Sequence, residues 1–138
     1  MDTFKTIAVN VAAAVILGAL LVWGNALYRQ HVQFDKGERA LAARNFNGAV
    51  AGYESAIHMY TPGSSLVGLS AQRLWELGQQ AEKSGDAPRA LIAYRALRSS
   101  FYAVAGLYAP GQQWIERCDQ RIAVLVKGQT GQTEATTK

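Results

Sequence analysis

The chain has 138 residues and a formal charge of +4, which bounds it to one domain plus appendages. A single cysteine, Cys118, excludes an internal disulfide and any metal site built from several cysteines. The basic residues are scattered rather than massed, which is thin for a nucleic-acid binder and compatible with a domain close to an anionic bilayer.

From Ile7 to Tyr28 the chain reads IAVNVAAAVILGALLVWGNALY, with no charge and only Asn10 and Asn25 clearly polar. At about 1.5 Å per residue this run spans a hydrocarbon core of about 30 Å. Trp23 and Tyr28 fall near its end, where amphipathic rings favour the lipid–water boundary. The expectation is a transmembrane helix in an anchor over residues 1–28. A cleaved leader is the competing reading, with Lys5 as its positive start and Gly24-Asn25-Ala26 as a small-x-small site. The apolar run, however, exceeds the usual leader core of about 7–15 residues. Lys5 stands before the run, and Arg29, Lys36, Arg39 and Arg44 follow it, so the basic count predicts a cytoplasmic domain; the alternative is an extracytoplasmic one, the side on which short-tailed N-terminal anchors often leave their C-terminal domain. Ala8/Ala12 and Ala14/Gly18 are small-xxx-small pairs that would admit another helix.

The expected domain, residues 29–127, reads as helices and short turns with no sustained period-two alternation. Helix 1 continues from the anchor without a breaker to about Arg44. In the turn at 44–48 the asparagines suit left-handed geometry. Helix 2 carries a stripe of Ala49, Val50, Tyr53, Ala56, Ile57 and Tyr60. Pro62 ends it, and helix 3 is expected from about Ser64 with Leu66, Leu69, Leu74, Leu77, Gly78 and Ala81. Ser84-Gly85 makes a turn, Asp86 caps helix 4, and Pro88 sits in its first turn. Helix 4 shows Ala90, Leu91, Tyr94, Leu97 and Phe101. Helix 5 runs from about Gln112 to Val126 with Ile115, Cys118, Ile122 and Leu125. Residues 128–138 hold no large apolar side chain and are expected to be disordered.

Two repetitions run through this pattern. Tyr60-Thr61-Pro62-Gly63 returns as Tyr108-Ala109-Pro110-Gly111, 48 residues on. Proline stops the preceding helix, glycine takes the turn, and each tyrosine is expected to cover the junction. Independently, Gly37, Ala49, Tyr53 and Ala56 fall on Gly78, Ala90, Tyr94 and Leu97 at a constant offset of 41. On these residues, over about 30–103, the chain resembles the tetratricopeptide repeat family. Its unit of 41 is longer than that family's 34, and the extra residues fall in 60–68, where helix 3 is expected to start early. Lys36, Ala40 and Ala81 depart from the family's preferred residues.

The resemblance implies an all-α fold: one transmembrane helix continuing into a short α-solenoid of two hairpins plus a capping helix. It implies a protein-binding groove lined by His31, Phe34, Glu38 and Leu41 from the first copy, and by Gln72, Trp75, Gln79, Glu82 and Lys83 from the second. Trp75 has the size of an anchor for a partner, and packing beneath helix 1 or helix 5 is its blander role. Trp114 reads as core. Arg89, Arg95, Arg98, Arg117 and Arg121 form the densest basic grouping, either a solvated, salt-bridged face or one that meets acidic ligands or lipid headgroups. His31 and His58 lack ligand spacing, Cys118 lies on an apolar stripe, and the Pro-Gly loops lack a phosphate-binding lysine. No catalytic, cofactor or metal residue is therefore assigned. The expectation is a membrane-anchored scaffold without catalysis, an accessory subunit of a membrane complex that meets other subunits or a peptide segment, or its own copies. The alternative is a peripheral regulator binding anionic headgroups through the arginine face.

Overall fold

A computed structural model describes residues 2–106 and 109–136. All regular structure in them is helical, in the order α1 (Asp2–Ala42), α2 (Phe46–His58), α3 (Leu66–Lys83), α4 (Ala87–Val104) and α5 (Gln112–Thr136). Each helix packs on the next in sequence, and α2 also packs on α4. The chain therefore runs back and forth, with α1, α3 and α5 pointing one way and α2 and α4 returning.

No proline interrupts the 41 residues of α1, so the apolar run and the first helix of the packed domain are one element. Its N-terminal part is long and apolar enough to cross a membrane, with a mean hydropathy of 2.3, and none of that stretch is buried against the rest of the chain. Side chains of α1 first become covered at Ala26 and Leu27, and Gln30 is fully buried.

The two turns farthest from the apolar run are built alike. Arg44 and Gly85 take left-handed backbone at φ 55° and 75°. Asn45 N–H then reaches Ala40 O at 2.8 Å, and Asp86 N–H reaches Ala81 O at 2.9 Å, so orphan carbonyls at both helix ends are satisfied. Asn45 and Asp86 go on to cap α2 and α4, accepting from the N–H groups of Gly48 and Arg89. All four pairs, Arg44/Gly85, Ala40/Ala81, Asn45/Asp86 and Gly48/Arg89, stand 41 apart. A left-handed residue with a side chain costs about 1 kcal/mol relative to glycine. Arg44→Gly should therefore raise the stability of the full chain by about that amount, read as a later denaturant midpoint in detergent.

Three of the expected boundaries move, and one expected side-chain contact is not made. α1 ends at Ala42, and Arg44 rather than an asparagine supplies the left-handed residue, because Asn45 is needed as the cap. α3 starts at Leu66, so most of the longer repeat becomes the loop 59–65 and not an early helix. α5 does not stop near Val126: the chain read as a disordered tail continues it to Thr136, with no proline to break it. Tyr60 is 37% exposed and does not cover its junction. Its counterpart Tyr108 lies outside the described residues.

The core is one cluster. Ala49, Tyr53 and Ile57 from α2 meet Ala71 and Leu74 from α3, Ala90, Tyr94, Leu97 and Phe101 from α4, and Ile115 and Cys118 from α5. Leu69, placed on the apolar stripe of α3, is instead 46% exposed near the start of that helix.

Candidate interaction surface

The two tyrosines 41 residues apart occupy matching environments. Tyr53 lies so close to Gly37 that a Cβ there would sit 2.8 Å from its ring, and Tyr94 crowds Gly78 at 2.5 Å. Phe34 tilts against the Tyr53 ring at 5.7 Å, and Trp75, also 41 residues on, tilts against Tyr94 at 5.0 Å. Both phenols are fully buried and each donates to a carboxylate, Tyr53 to Glu38 at 2.7 Å and Tyr94 to Glu82 at 2.6 Å. Burial and the adjacent carboxylate push both hydroxyls well above the usual tyrosine range.

An arginine from the next outward helix completes each set. Arg73 on α3 holds Glu38 through Nε at 2.9 Å and Nη2 at 3.4 Å. Arg121 on α5 holds Glu82 through both Nε and Nη2. Each fork ties three helices together: α2, α1 and α3 in the first, α4, α3 and α5 in the second. Arg73 and Arg121 are 48 apart, the spacing of the Tyr-x-Pro-Gly loops, and at that spacing Ser70 and Cys118 are both fully buried. Thus α5 occupies toward α4 the position that α3 occupies toward α2.

The carboxylates do not share a register. Glu38 follows Gly37 directly, whereas Glu82 lies one turn beyond Gly78. Glu82 is the better shielded, and the Arg121 hydrogen bonds, with help from the Tyr94 hydroxyl, hold its carboxyl below the ordinary value of 4.5. A lowered folded-state value means that stability is complete above pH 4.5 and is lost as the pH falls through the lower value. Glu82→Gln should lower the denaturation midpoint at neutral pH and flatten its decline below pH 4.5. The comparison is a set of denaturation curves for the two proteins across that range.

The expected groove residues divide into two groups. Phe34, Glu38, Trp75 and Glu82 are half-buried members of the two tyrosine sets, while His31, Gln72, Gln79 and Lys83 are exposed. Gln72 donates to Glu76 at 2.9 Å. Trp75 also meets Trp114 at 6.1 Å, so it packs against α5, with the Arg117 guanidinium over the Trp114 ring at 5.4 Å. Trp114 is itself only half-buried. Leu41 points to a different place. With Arg44, Phe46, Leu77, Ala81 and Arg89 it lines a cleft of about 470 Å³ between the two hairpins, at the end away from the apolar run.

The arginine face is largely engaged. Arg98 pairs with Asp119 at 2.7 Å, Arg89 with Asp86 at 3.4 Å, and Arg121 with Glu82. Arg98 and Arg89 also lie over the rings of Tyr102 and Phe46. Arg95 is exposed. Cys118 is inside the core, where burial pushes its thiol up to about 12, so it is a protonated, inert side chain at neutral pH. No cluster of three metal-ligating side chains occurs among the described residues.

Sequence reasoning missed Arg73 and Gln30. Gln30 donates to Ala56 O at 2.9 Å, satisfying a carbonyl in the last turn of α2, and accepts from Ser64 Oγ at 2.5 Å. It thereby joins α1, α2 and the loop 59–65 just beyond the apolar run. The spacing of 48 could have revealed Arg73, whereas nothing local marks a lone glutamine as buried. No family model, curated protein or solved structure matches the chain.

Proposed function

We propose that this chain is a membrane-anchored protein-interaction module of tetratricopeptide-like build, an accessory subunit of a membrane complex that carries out no chemistry itself. The supporting observation is the recurrence of one glycine–tyrosine–carboxylate–arginine set in two successive hairpins, with α5 supplying the last arginine. Such stacking is how a helical repeat presents an extended surface. Two hairpins are fewer than the three repeats that usually stand alone, and α5 supplies part of the missing burial. The exposed apolar half of α1 serves as the anchor, and the basic residues that follow it support a cytoplasmic orientation for the domain. The groove side, with Phe34 and Trp75 half-exposed beside His31, Gln72 and Gln79, is the surface offered to a partner segment.

Purification of the full chain in a mild detergent tests this reading, with mass by light scattering and composition by mass spectrometry. A stoichiometric membrane-protein companion is expected, and Trp75→Ala with Phe34→Ala should release it. A stable monomer without a companion overturns the accessory-subunit role. Extraction by alkaline carbonate without detergent overturns the anchor.

A further inference from the structure

The back-and-forth course of the helices puts the turn at 59–65 and the C-terminal end of α4 at one end of the domain, the end from which the apolar run of α1 projects. The Gln30 hydrogen bonds fix the turn there, joining Ala56 and Ser64 to a residue only two positions past Tyr28, about 3 Å along the helix. α4 packs on α2 in the same sense. In the 41-residue register His58 corresponds to Ser99, so Tyr102 and the end of α4 lie further still in the direction of the apolar run.

Charge divides sharply between the two ends. Residues 55–72 contain no Asp, Glu, Lys or Arg, and neither do residues 99–115. The opposite turns carry Lys36, Glu38, Arg39 and Arg44 in the first hairpin, and Glu82, Lys83, Asp86 and Arg89 in the second. The absence of charge is thus confined to one end of the domain. At the same end Tyr28, Tyr60 and Tyr102 are exposed on three different helices or their loops, and Leu69 is exposed in the first turn of α3. Arg29 and His58 flank a cleft of about 280 Å³ between α1 and the end of α2. Exposed tyrosines with an uncharged backbone around them and a basic rim match the headgroup layer of a bilayer, where an amphipathic ring keeps its hydroxyl wet and its body in apolar surroundings.

We infer that this end of the domain is a second membrane contact: the turn at 59–65 and the C-terminal end of α4 rest in the headgroup layer, with Tyr28, Tyr60 and Tyr102 as interfacial anchors. The inference rests on the reading of α1 as a membrane span and adds that the folded part lies on the bilayer instead of standing clear of it. The unbroken helix from the span to Ala42 leaves no linker that would let it stand clear.

Nitroxide labelling of the full chain in phosphatidylcholine–phosphatidylglycerol vesicles tests this. Single cysteines are placed in a Cys118→Ser background at Val15, Pro62, Ala103 and Gln80, all exposed positions. The ratio of collision rates with oxygen and with a water-soluble nickel chelate reports depth. The expected order is Val15 deepest, Pro62 and Ala103 severalfold above Gln80, and Gln80 fully in water. Tyr60→Ser with Tyr102→Ser should bring the Pro62 and Ala103 ratios down toward that of Gln80. If Val15 lies in hydrocarbon while Pro62 and Ala103 match Gln80, or if the double serine variant leaves their ratios unchanged, the second contact is overturned and the anchor stands. If Val15 itself lies in water, the span is overturned, and the inference falls with it.

Discussion

Tyr94→Ala should destabilise the helical domain by about 4 kcal/mol, the range measured when a large buried ring is cut back to a methyl group. The ring is fully buried between Gly78, Trp75 and the core of α4, and none of these can collapse into the space it leaves. The loss has a second component. Without the phenol, Glu82 retains only Arg121, and the tie between α4 and the α3–α5 pair disappears. Tyr94→Phe separates the two, since it preserves the ring and removes one hydrogen bond to a carboxylate, worth about 1.5 kcal/mol. Urea titration of the full chain in detergent, followed by helical circular dichroism, should place the phenylalanine variant close to the parent and the alanine variant far below it. Equal midpoints for the two variants would mean that the hydroxyl, not the ring, holds the second hairpin together.

Gly52→Ala is expected to cost about 3 kcal/mol, at the upper end of what overpacking does. A Cβ at Gly52 would lie 2.5 Å from both the Cα and the N of Gly37, and 3.1 Å from Gln33 O. These are backbone atoms of α1, so no side chain can swing aside and the two helices must separate. Separation would pull Tyr53 from Gly37 and lengthen its hydrogen bond to Glu38. The second hairpin provides the control. The residue 41 positions on is Ala93, fully buried, which means that α3 and α4 already accommodate a methyl group there. Ala93→Gly should cost about 1.5 kcal/mol, the difference in helix propensity plus the loss of one buried methyl group. If Gly52→Ala proves as mild as that exchange, the close α1–α2 crossing is not rigid.

The residues that organise the hairpins were visible in the sequence because they obey a fixed period. Gly37/Gly78 and Tyr53/Tyr94 are a small residue and a ring that must meet at every hairpin, and such a demand leaves the same letters at the same offset. The starts of α4 and α5 were equally legible from Asp86-Ala87-Pro88 and Pro110-Gly111, whose constraints are local. The polar partners were not legible. A phenol needs one acceptor within reach, and Glu38 and Glu82 meet that need from different registers, so no offset links them. Gln30 resembles any surface glutamine until α2 ends against it. Trp75 could be sized but not placed, because its neighbour Trp114 comes from a helix outside the 41-residue repeat. The end of α5 was misjudged for a related reason: poor apolar content argues against packing, but it does not forbid a helix from running on past its last contact.

The continuity of α1 sets how far this protein can reach. A flexible tether of twenty residues would let its cargo roam over roughly 25 Å; a stiff helical shaft allows almost none of that travel. Were the apolar run embedded in a bilayer, the domain could spin about the bilayer normal and diffuse laterally, yet it would stay at one height. A partner would then have to approach within that thin layer, so encounter would become a search in two dimensions.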